Sequence, residues 1–71
     1  MNNLFVIKVS KRVKKLREER GITQEELAEL IRTSYKYLQR IESKNPPDIR
    51  LTTIVRLAKA LKVKPEELLK F

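Results

Sequence analysis

Apolar positions recur at helical intervals along this 71-residue chain, interrupted at only a few points. Val9, Val13 and Leu16 are spaced as one face of a first helix, with Lys11, Arg12, Lys14 and Lys15 facing away from it. Gly21 is placed as the glycine that stops that helix. Thr23 precedes Glu26 by three residues, the pattern in which a threonine oxygen caps a helix and the glutamate reaches back to the threonine amide. Leu27, Ala28, Leu30 and Ile31 then supply an inward stripe, so a second helix is expected from about Gln24 to Ile31. Ser34 caps a third, Tyr35 to Glu42, with Leu38 and Ile41 inward. Asn45-Pro46-Pro47 cannot continue a helix, which makes Ser43 to Arg50 a loop. Leu51, Ile54, Leu57, Ala58 and Leu61 mark the buried face of a fourth helix. Lys64-Pro65-Glu66-Glu67 opens a fifth, with Pro in its first turn and acids behind it.

The pattern therefore predicts an all-α fold, a compact bundle of about five short helices forming a single domain over residues 9–71. Residues 1–8 are left open between an N-terminal arm, an extra turn and a strand. Leu4, Phe5, Val6 and Ile7 are strand formers, but no other segment offers a strand to pair with except the same segment of a second copy. The expected core is Val13, Leu16, Ile22, Leu27, Ala28, Ile31, Leu38, Ile41, Ile54, Leu57, Ala58, Leu61, Val63 and Leu68. Leu69 and Phe71 either close that core or touch another copy. No internal repeat or low-complexity stretch is present.

Composition narrows the chemistry. The chain has no Cys and no His, so disulfides are excluded and neither a structural zinc site nor any cofactor is expected. The commonest general base and the best nucleophile are both missing, and a single small core leaves little room for a water-excluding pocket, so an enzyme is not expected. No apolar run approaches the roughly 18 residues needed to span a bilayer. Leu4 to Ile7 is too short for a signal-peptide core, and a cytoplasmic address is the expectation.

Seventeen Lys and Arg against nine Asp and Glu give a net charge of +8. It is unevenly spread: +5 over residues 1–20, −3 over 21–31, +3 over 32–50, +4 over 51–64 and −1 over 65–71. Basic stretches around an acidic second helix favour a polyanionic partner, nucleic acid ahead of a membrane surface. The acids of the second helix have a local cause, since Glu25 and Glu26 fall where the helix dipole favours carboxylates. Arg32 and Thr33 alone separate the second helix from the Ser34 cap, so the two helices have helix-turn-helix spacing.

Gly21-Ile22-Thr23-Gln24-Glu25-Glu26-Leu27-Ala28 followed by Ser34-Tyr35-Lys36-Tyr37-Leu38-Gln39-Arg40-Ile41-Glu42 resembles the helix-turn-helix core of Cro/cI-type (Xre family) regulators. Leu51 to Leu61 looks like the fourth helix of that family, and the resemblance covers roughly residues 9–69. It implies a lambda-repressor-like domain that binds double-stranded operator DNA, commonly as a homodimer, with its third helix in the major groove. One residue departs from the pattern: Arg32 stands where the family usually has Gly in the turn. A left-handed backbone there would cost a residue with a Cβ about 1–2 kcal/mol.

Candidate DNA contacts follow. Tyr35, Lys36, Gln39 and Arg40 can share an outward face of the third helix and suit base reading, because Arg or Lys can donate to guanine O6 and N7 and Gln can pair with adenine. The resemblance places a phosphate contact at Gln24, and Tyr37, Ser43, Lys44 and Asn45 are candidates for holding the backbone on the other side of the groove. Arg12 or Lys15 adds longer-range attraction, whereas Lys59, Lys62 and Lys64 contribute to field and solubility. The resemblance also implies an ion pair between Arg17 and Glu42. The expected function is a sequence-specific transcriptional regulator, a repressor binding a palindromic operator as a dimer. The alternative is an antitoxin-type protein that neutralises a partner toxin and regulates its own operon. A basic amphipathic segment at anionic membranes ranks last, and no membrane partner is expected.

Overall fold

Asn3 caps the first helix: its side chain accepts a hydrogen bond from the Phe5 N–H at 2.8 Å, and the helix runs without interruption to Glu19. The computed structural model describes residues 3–70. Its elements are α1 (Leu4–Glu19), α2 (Gln24–Leu30), α3 (Tyr35–Ile41), α4 (Leu51–Ala60) and a closing 3-10 turn (Pro65–Leu69). There is no strand among the described residues.

Residues 4–8 are thus the first turns of α1, and the strand alternative for this segment is not what forms. The β-branched residues here have no neighbouring strand to pair with. As a helix they extend the face that buries Val9 and Val13, and the Asn3 cap satisfies one of the amides left open at the helix start. The fifth expected helix is a 3-10 turn, so the described residues form four α-helices and one tighter turn. In that turn Leu68 is fully buried, while the Arg12 Nε–H donates to the Glu67 carbonyl at 3.0 Å and ties the turn to α1. Lys70 Nζ lies 2.8 Å from Glu67 Oε2, and this ion pair holds the Glu67 carboxyl below its ordinary pKa.

The remaining starts follow the sequence closely. Thr23 and Glu26 form the reciprocal cap: Thr23 Oγ1 accepts from the Glu26 N–H at 3.0 Å, and Glu26 Oε1 accepts from the Thr23 N–H at 2.8 Å. Ser34 Oγ accepts from the Tyr37 N–H at 3.0 Å. Three of the four α-helices described end on one device. At the close of α1, Gly21 N–H bonds the Glu18 carbonyl and Ile22 N–H bonds the Arg17 carbonyl; α2 repeats this with Arg32 and Thr33, and α4 with Lys62 and Val63. Each end needs a left-handed residue, and the three are Gly21 (φ 70°), Arg32 (φ 58°) and Lys62 (φ 59°). Arg32 is therefore left-handed despite its side chain, and Lys62 is a second such residue.

The core is drawn from every element: Val9, Val13 and Leu16 from α1, Leu27 and Ala28 from α2, Leu38 and Ile41 from α3, Ile54, Leu57 and Ala58 from α4, and Leu68 from the last turn. Ile31 and Leu61, the residues capping α2 and α4, join them. Ile22 and Val63 pack against this core only in part. Two expected inward residues face out. Leu30 is 60% exposed, because Leu27, Ala28 and Ile31 complete the buried stripe and Leu30 sits at its margin. Leu51 is 79% exposed, being the first residue of α4, one turn before Ile54 reaches the core. Phe71 lies outside the described residues. No helix among those described is long and apolar enough to cross a membrane.

Candidate nucleic-acid interface

α3 is held by its buried side. Leu38 and Ile41 are fully enclosed, Tyr37 packs half-buried against the core, and the Ser34 cap fixes the first turn. The remaining side chains have only one direction left. Tyr35, Lys36, Gln39 and Arg40 are all exposed and lie at positions i, i+1, i+4 and i+5, a single outward surface. It offers a phenol, an ammonium, an amide and a guanidinium, and so both donors and acceptors for base edges.

The far end of α3 is anchored to α1. Arg17 Nε donates to Glu42 Oε2 at 2.8 Å and Nη2 donates to Oε1 at 3.1 Å, a two-pronged pair. The third Arg17 nitrogen, Nη1, donates to the Ile22 carbonyl at 2.8 Å. The side chains are 11% and 1% exposed. The Glu42 hydrogen bond raises the Arg17 pKa above its already high value, so the guanidinium stays charged at any pH where the protein folds. Gln24 joins the same group, its Nε2 donating to Glu42 Oε1 at 3.0 Å. A side-chain amide has two N–H groups, and this bond uses one.

The backbone-contact candidates fall into two sets. Ser43 closes α3: its Oγ donates to the Arg40 carbonyl at 2.7 Å, and its own carbonyl accepts from Ser10 Oγ at 3.4 Å. Lys44 and Asn45 follow it on the surface. Lys44 borders a shallow cleft between α1 and the α3–α4 loop, together with Ser10, Lys11 and Lys14. Gln24 and Tyr37 lie nearer the protein interior than Lys44 does. Lys11, Lys14 and Ser10 were not singled out from the sequence as neighbours of this loop. Ser10 carried a faint signal, a small hydroxyl residue one position after Val9 in an otherwise apolar stripe. Among the described residues no group of His, Cys, Asp and Glu is gathered to hold a metal ion.

Comparison with known proteins adds to this geometry. A family model described as helix-turn-helix matches residues 13–68. The crystal structure of the restriction-modification controller protein C.AhdI from Aeromonas hydrophila superposes with a TM-score of 0.85 at 32% identity, covering 93% of this chain and 98% of that one. The structure of a hypothetical transcription factor, NHTF, from Neisseria superposes with a TM-score of 0.86 at 29% identity, covering 93% of this chain and 75% of that one. None of the curated proteins matches.

Proposed function

The chain belongs to the helix-turn-helix family of Cro/cI (Xre) type, and we propose that within this family of DNA-binding transcription regulators it is a repressor that binds a palindromic operator as a dimer. The observation that carries this reading is the outward face of α3. Tyr35, Lys36, Gln39 and Arg40 form a polar surface on a helix whose other side is fixed by Leu38, Ile41 and the Arg17–Glu42 pair. In this reading α3 enters the major groove with its N-terminal half foremost. Gln24, Tyr37, Ser43, Lys44 and Asn45 then meet phosphates on either side, and the net charge of +8 supplies the sequence-independent attraction.

An apolar surface supports the dimer. Phe5, Val6, Ile49, Leu51, Ile54 and Leu69 line one depression, and Phe5, Leu51 and Leu69 within it are exposed. A second copy brings the same patch, so a two-fold contact is self-complementary, and a helix-turn-helix dimer of this kind reads half-sites about 34 Å apart. The likeness to a restriction-modification controller supports a narrower setting, in which the regulated genes are those of such a system.

Selection of bound sequences from random duplex DNA at several salt concentrations tests the proposal. A palindromic consensus is expected. Binding without sequence preference at every salt concentration would overturn it.

A further inference from the structure

The outer face of α1 is more densely cationic than the reading helix. Lys8, Lys11, Arg12 and Lys15 stand at i, i+3, i+4 and i+7 and share one side of the helix. From Leu4 to Arg17 the helix contains no acidic residue. Lys8, Lys11, Arg12, Lys15 and Lys70 border one shallow depression, and Lys11, Lys14 and Lys44 border the cleft beside the end of α3. The two depressions meet at Lys11. A continuous basic track therefore runs from Lys44, just after α3, over α1 to Lys70 at the closing turn.

Two carboxylates on this path are engaged, one by residues outside the track and one by Lys70 at its end, whose charge it offsets. Glu42 is bound by Arg17 and Gln24, and Glu67 by Lys70. Glu18 lies 4.0 Å from Arg17 Nη2, at the far end of the helix. Like charges three and four residues apart on a helix repel one another, so the cluster does not help α1 to form. It does favour a polyanion laid across it. Duplex DNA carries one charge per about 1.7 Å of its axis. A track crossing a molecule 29 × 24 × 21 Å in extent faces several phosphates.

We propose that this track is a second DNA-contact site, holding the phosphodiester backbone of the duplex where it continues past the segment read by α3, so that flanking DNA follows the outer face of α1. The inference rests on α3 being the reading element, and the test separates the two. The duplex recovered by selection is prepared in two lengths, one trimmed to the site and one with flanks of about one helical turn, or about 10 base pairs, on each side. Affinity is measured against salt for the wild type and for the triple variant Lys8→Gln, Lys11→Gln, Lys15→Gln. The wild-type log–log salt slope is expected to be steeper on the long duplex, by about 0.9 for each lysine engaged, and the triple variant is expected to lose that difference.

A control with the same charge change elsewhere, Arg56→Gln, Lys59→Gln, Lys64→Gln, is expected to keep it. Equal wild-type slopes on the two lengths, a triple variant that retains the difference, or a control that abolishes it equally would each overturn the proposal. Far-ultraviolet circular dichroism and melting confirm that each variant is folded. Scrambling the central sequence provides the separate check on α3: if affinity does not fall, the operator reading fails, while the dependence on flank length is still read directly.

Discussion

Arg17 and Glu42, 25 residues apart in sequence, meet through two parallel N–H···O bonds of 2.8 and 3.1 Å that join the last turn of α1 to the end of α3. Both side chains are largely withdrawn from water. Removing either partner leaves the other as an uncompensated charge, so Arg17→Ala and Glu42→Ala should each cost about 3 kcal/mol. A double-mutant cycle in urea should give a coupling of about 1–3 kcal/mol. Strictly additive losses would mean that the pair contributes no interaction energy.

Arg32 and Lys62 hold left-handed backbone that suits glycine. Arg32→Gly and Lys62→Gly should each raise stability by about 0.5–1 kcal/mol, the relief of backbone strain being partly offset by the greater freedom of glycine in the unfolded chain. Gly21→Ala should do the reverse, by about 1 kcal/mol. A Cβ at Gly21 would meet no atom within 4 Å, so that loss would come from the backbone alone. Thermal melting of the three variants checks the set.

Gln39→Ala and Arg40→Ala should each lower operator affinity by about 1–3 kcal/mol and relax preference at one base pair per half-site. Lys44→Ala should weaken all sequences alike and flatten the salt slope by about 0.9 at most. Repeating the sequence selection with each variant distinguishes the two behaviours.

Leu68 and Leu51 make a contrasting pair, one fully buried in the closing turn and one almost wholly exposed at the start of α4. Leu68→Ala should destabilise the fold by about 2–5 kcal/mol. Leu51→Ala should change the stability of the isolated chain by less than about 0.5 kcal/mol yet weaken self-association, as measured by sedimentation equilibrium. An unchanged association constant would remove Leu51 from the proposed dimer surface.

The helix starts at Thr23 and Ser34 were legible because a cap is a local event, settled by residues three apart. The N-terminal start at Asn3 was not, because Leu4 to Ile7 have the composition of a strand and only the core behind Val9 and Val13 decides otherwise. Periodicity gave Leu27, Ala28, Leu38 and Ile41 their direction, but it could not say where the facing surface stops, which is why Leu30 and Leu51 emerged into solvent. The left-handed Lys62 had no glycine to announce it. Around the site, the outward face of α3 could be read from spacing. The contact of Ser10 with Ser43, and the clustering of Lys11 and Lys14 beside Lys44, arise from how α1 packs and so could not be.

Arg17 does more than join two helices. Its Nη1 donates to the Ile22 carbonyl while its own carbonyl accepts from the Ile22 N–H, closing a ring around the corner between α1 and α2. With Glu42 held by this guanidinium and Gln24 donating in turn to Glu42, the start of α2 and the end of α3 are fixed before any ligand arrives. A surface prepared in this way loses little conformational entropy on binding. No coupled folding is then needed, and the heat-capacity change of association should report the area brought together rather than the ordering of the protein.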